Sequence, residues 1–97
     1  MKLVLIAYNE AVDEEVMELL DETGAQGYTK WTQVLGKGRT SGPHLLSHVW
    51  PKGNNALFVV LADDVAAKLL AAARKLRQAV GREGIKAFVL NVEDQLG

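Results

Sequence analysis

Ala56–Gly81, ALFVVLADDVAAKLLAAARKLRQAVG, decides how the chain folds. Its first six residues form an unbroken apolar run, the pattern of a central strand covered on both faces. Beyond Ala62 stand two aspartates, and Asp63 or Asp64 reads as the cap of a helix. In that helix Val65, Leu69, Ala72, Leu76 and Val80 recur at helical spacing, and Gly81 ends the run. Lys68, Arg74, Lys75, Arg77 and Arg82 fall on the exposed side and make it basic.

The same grammar appears upstream. Lys2–Tyr8 is a short apolar run that reads as a strand, and Asn9 can cap the helix after it. From Glu10 to Glu22 the apolar residues Val12, Val16, Leu19 and Leu20 line one helical face, and Gly24 is placed as a left-handed stop. The other face, with Glu10, Asp13, Glu14, Glu15, Glu18, Asp21 and Glu22, carries no base and reads as solvated. Side by side, this acidic helix and the basic one downstream are complementary, although exposed pairs contribute only about 0–1 kcal/mol each.

Between the two units lies Gly27–Leu35, GYTKWTQVL, rich in aromatic and β-branched residues and alternating as a strand does. Tyr28 and Trp31 read as sheet packing. Gly53-Asn54-Asn55 reads as a turn. Ile85–Val92 supplies a fourth strand, and Glu93–Gly97 a polar tail. The order is βαββαβ, which predicts an α+β ferredoxin-like sandwich: a four-stranded antiparallel sheet with two helices on one face. The first, third and fourth strands are apolar at successive positions, so the face without helices also needs a cover. A second copy of the chain is the material available for it.

At 97 residues this is one domain, 1–97, with an inserted segment at about 37–53. A composition 48% hydrophobic and 24% charged is that of a soluble globular protein, and a net charge of −1 gives no electrostatic basis for nucleic acid. No cysteine is present, which removes disulfides and thiolate chemistry. The apolar start is too short for a signal peptide or a membrane span, so the expected location is cytoplasmic.

The chemistry gathers in Gly36–Trp50, GKGRTSGPHLLSHVW. Gly36, Gly38 and Arg39 can cradle an anion through backbone amides, and Lys86 can reach a phosphate from the closing strand. A turn or bulge at a strand end would use the same glycines. His44 and His48 stand four apart. On a helix, started by Pro43 and stopped by Pro51, both imidazoles share a face and can share a divalent transition metal. On a strand the same spacing separates them by roughly 13 Å. Leu45, Leu46, Val49 and Trp50 are too apolar for water and suit packing on a neighbouring subunit or partner. No nucleophile stands beside a base, so the chain does not read as an enzyme.

GYTKWTQVLGKGRTSG resembles the end of the second strand in the PII signal-transduction superfamily, where a strand runs through a Gly-x-Gly-Arg turn into the T-loop. The likeness extends over most of the chain: the Met1-Lys2 start, the helix ending at Gly24, the strand entering Asp63-Asp64, the helix ending near Gly81, and Lys86-Ala87-Phe88-Val89. It implies a homotrimer with ligand clefts between subunits, an adenine nucleotide or metal as effector, and a membrane transporter or enzyme as partner. It marks Gly36, Gly38, Arg39, Gly84 and Lys86 as ligand-binding. The chain is also similar to the CutA proteins, trimers of the same fold linked to divalent-metal tolerance; the alternative from another class is a small ferredoxin-like enzyme using a loop histidine as base. Thr40 and Ser41 replace the glutamine and lysine usual after the PII turn, and Ala56 replaces a lysine. Of the Gly-Asp-Gly-Lys phosphate loop only Gly81, Gly84 and Lys86 survive. The segment lacks the tyrosine that PII proteins often modify, which argues against a uridylylation-controlled role.

Overall fold

The computed structural model describes residues 1–38, 42–44, 53–81 and 84–97, with the backbone alone at 37, 38 and 42–44. Strand β1 is Lys2–Asn9, helix α1 Asp13–Thr23, β2 Thr29–Val34, β3 Gly36–Gly38, β4 Gly42–His44, β5 Asn54–Leu61, α2 Asp63–Val80 and β6 Ile85–Asn91. Four strands form one sheet in the order β2-β5-β1-β6. Every neighbour is antiparallel. This is the expected βαββαβ sandwich, with the two apolar runs at its centre because those strands are flanked on both sides.

Side-chain alternation divides the sheet into two faces. Val4, Ile6 and Tyr8 of β1, with Leu57, Val59 and Leu61 of β5, pack against Val16 and Leu20 of α1 and against Ala66, Leu69 and Ala73 of α2. The opposite face carries Leu3, Leu5, Ala7, Ala56, Phe58, Val60, Phe88 and Leu90 in matched rows, for example Leu5 opposite both Phe58 and Phe88. No helix covers it among the described residues. Phe88 is 55% exposed, Leu90 52% and Trp31 48%, and the Trp31 ring leans on Phe58 at 5.6 Å between centroids.

Several local expectations are corrected. The first helix opens as a 3-10 turn, Glu10–Val12, capped by the Asn9 side chain, which accepts from the Ala11 amide at 2.9 Å. Gly24 does end α1 in the left-handed conformation, φ 80°. Neither Asp63 nor Asp64 caps α2. The N-cap is Ala62, and Asp63 is drawn instead to the Met1 amino group at 2.9 Å. The second strand begins only at Thr29, because Gly27 sits at φ 74° and turns the chain. Asn54 and Asn55 belong to β5, not to a turn.

Candidate functional site

One end of the sheet gathers the residues of interest. A row runs across it from Val34 of β2 to Asn54 of β5 and Asn9 of β1. It ends at Gly84, whose carbonyl accepts from the Asn9 amide at 2.9 Å. Just beyond Val34 the chain enters a separate two-stranded ribbon, β3 with β4, in which Gly36 pairs with His44, Lys37 with Pro43 and Gly38 with Gly42. Pro43 therefore does not start a helix: it and His44 lie in a strand, paired with Lys37 and Gly36. His48 and Arg39 lie outside the described residues, as do Leu45, Leu46, Val49 and Trp50. Among the described residues no three His, Asp or Glu side chains gather as metal ligands.

β2, which leads into Gly36, and β6, which follows Gly84, are the opposite edge strands of the sheet, three strand spacings apart, which is about 14 Å. The Gly84 amide donates to the Gly81 carbonyl at 3.2 Å while its own carbonyl accepts from the Asn9 amide at 2.9 Å. A side chain there would press on Val80 Cγ2 at 3.2 Å. Both backbone groups of Gly84 are thus engaged within the chain, and an anion at this edge would be met by the Lys86 ammonium. Lys86 pairs with Ala7, is exposed, and lies on the open face of the sheet.

Sequence reasoning missed a polar cluster beneath this end of the sheet. The Asp13 carboxylate, at the start of α1, accepts from Tyr8 Oη at 2.6 Å, Lys30 Nζ at 3.0 Å and Asn55 Nδ2 at 3.2 Å. Partial burial works against the Asp13 charge, yet the three donors and the nearby ammonium outweigh it and hold the carboxyl below its usual range. Burial, then the adjacent carboxylate, pushes the Tyr8 phenol well above its ordinary value. Asn55 Oδ1 is buried without a partner among the described residues. The available signal is Lys30, which strand alternation places opposite Leu57 on the face that turns toward the helices. Asp13 itself is indistinguishable in sequence from the solvated acids around it.

Glu10 fastens the outer edge of the same end. Its amide donates to the Gly53 carbonyl at 2.9 Å and its carboxylate accepts from Gln33 Nε2, so one residue grips both roots of the intervening segment. Gln33 is the one non-glycine among the described residues at positive φ, 56°, where the register of β2 against β5 slips. That bulge redirects the chain from the sheet into the ribbon.

A four-stranded sheet with two helices on one face, an uncovered apolar face and a glycine-rich ribbon leaving the second strand define a PII-like regulatory fold. The family model of nitrogen regulatory protein P-II matches residues 1–96, and the chain belongs to that family. The family is regulatory, and the chain is not an enzyme. Among solved structures it is similar to CPII, a nitrogen regulatory PII-like protein from Thiomonas intermedia K12, in a form bound to ADP, AMP and bicarbonate. That match has 23% identity and a TM-score of 0.76 and covers 92% of this chain and 82% of the other. A form of CPII bound to ADP and bicarbonate matches at 24% identity and a TM-score of 0.74, over 92% and 82% of the two chains. A PII-like signaling protein from Thermus thermophilus matches at 23% identity and a TM-score of 0.66, over 94% and 84%. No curated protein matches the sequence. No helix among the described residues is long and apolar enough to cross a membrane.

Proposed function

We propose that the protein is a homotrimeric regulator that binds an adenine nucleotide at the clefts between its subunits. In this reading Gly36, Gly38 and Arg39 of one subunit face Gly84 and Lys86 of the next. The bound nucleotide then alters the segment at 37–53, and that segment engages a protein partner, a membrane transporter or an enzyme, in the cytoplasm. Such coupling requires the nucleotide to interact differently with two states of the segment, since equal affinity for both shifts nothing.

One observation supports the reading: β2, which leads into Gly36, and β6, which carries Lys86, are the two opposite edge strands of the sheet, an arrangement in which a neighbouring copy can complete a site at either edge. The apolar face between those edges supports the same conclusion, because covering it removes Leu5, Phe58, Phe88 and Leu90 from water. Covering it also brings Lys86 to a subunit boundary, where an ammonium needs an anionic partner. CPII, solved with ADP and AMP, has a similar fold.

Calorimetric titration tests this. ADP, AMP, ATP, zinc and nickel are titrated into the wild type and into Arg39→Ala, Lys86→Ala and His44→Ala/His48→Ala. The expected result is nucleotide binding that is weakened by Arg39→Ala and by Lys86→Ala but not by loss of the histidines. Zinc or nickel binding that is abolished with the histidines, without any nucleotide binding, would replace the nucleotide by a metal effector.

A further inference from the structure

We infer that the groove between α1 and α2 is a docking site for an amphipathic helix of a protein partner, one that carries carboxylates two turns apart. Leu19 and Glu22 form the α1 wall, and Lys68, Ala71, Ala72, Lys75 and Leu76 form the floor and the α2 wall. Positions 68, 71, 72, 75 and 76 follow the i, i+3, i+4, i+7, i+8 stripe by which one helix packs on another. α2 uses Ala66, Leu69 and Ala73 to hold the sheet, and Leu76, with Leu19 of α1, packs in part against the same core, while Lys68, Ala71 and Lys75 on the outer side of the groove are exposed. Its small residues leave the α2 backbone open to close approach by a third helix.

Charge selects the occupant. Lys68 and Lys75 stand about 10.5 Å apart along the axis, seven residues at ~1.5 Å each. Among the described residues neither makes an ion pair. Glu22 faces them from the other wall. A helix that fits has apolar residues on its buried stripe, carboxylates at i and i+7 on the flank toward α2, and a basic residue on the flank toward Glu22. The outer face of α1 from a second copy fails this pattern: it offers Glu15 and Glu22 at the right spacing but no base, and like charges would meet across the groove. The groove lies on the helix layer, away from the open sheet face, so the proposal is independent of the trimer and of its nucleotide clefts.

The probe is a synthetic eighteen-residue helix with leucines on one stripe, two glutamates seven apart on one flank and one lysine on the other, labelled for fluorescence anisotropy. Saturable binding is expected in the range of ~10–100 μM. Lys68→Glu/Lys75→Glu should weaken it by about tenfold or more, and a peptide with lysines in place of the two glutamates should bind that variant instead. Ala72→Trp should block both peptides by filling the floor, with circular dichroism showing that each variant keeps its helices. Lack of saturation at ~1 mM, or an affinity indifferent to the double charge reversal, would overturn the proposal.

Discussion

Lys30 Nζ lies 3.0 Å from Asp13 Oδ1, so one ammonium ties β2 to the first turn of α1 across seventeen residues of sequence. The same carboxylate holds Tyr8 of β1 and Asn55 of β5. Asp13 therefore fixes three strands and a helix at the end of the sheet where the ribbon leaves. Asp13→Ala would leave a phenol, an amide and an ammonium without their acceptor. Because the Asp13 side chain is 32% exposed, water replaces part of the loss. The expected cost is roughly 2 kcal/mol, a fall in Tm of about 10 °C at fixed protein concentration. Calorimetric melting of the wild type and the variant measures it, and an unchanged Tm would show that the cluster is not structural.

Acid should dissolve this contribution. The folded-state pKa of Asp13 is lowered, so its stabilisation is complete above the unfolded carboxylate value of ~3.9 and is lost as pH falls through the folded value. Urea midpoints of the wild type and Asp13→Asn should differ clearly at neutral pH and converge in strong acid. Asp63, lowered by its bond to the Met1 amino group, moves in the same direction. A gap that stays constant with pH would assign the effect of Asp13→Asn to packing and not to charge.

The central strands and both helices were legible because local pattern determines them. Ala56–Leu61 is apolar at each position, and the Asn9 cap and the Gly24 stop act on their own neighbours. What was not legible depends on partners remote in sequence. Asp63 reads as a cap until the Met1 amino group claims it. Asn55 reads as a turn residue until Asp13 accepts from its buried amide. Gly42–His44 is strand because Gly36–Gly38 lies beside it, which no window around Pro43 reveals. For the site, Gly84 and Lys86 are singled out in the sequence, but not that they stand by β6, the edge strand opposite β2, or that the backbone of Gly84 is already engaged.

The open face yields a separate expectation. Phe58 and Phe88 lie in one row on either side of Leu5. Light scattering should give a trimer for the wild type, and Phe58→Asp should shift it toward monomer by placing a carboxylate in an apolar contact. Trp31 leans on Phe58, so its emission should move to longer wavelength as the contact opens to water. A wild type that remains monomeric at high concentration would leave the face without the proposed cover.

The most direct test asks whether one binding site needs two subunits. Arg39→Ala and Lys86→Ala are each prepared as a nucleotide-binding-deficient protein, unfolded together in equal amounts, refolded, and titrated with ADP. If each cleft takes Arg39 from one subunit and Lys86 from its neighbour, random assembly restores an intact cleft in about a quarter of cases, with wild-type affinity at that reduced stoichiometry. A mixture that binds no better than its two components, while the wild type binds ADP tightly, would contradict a site shared between subunits.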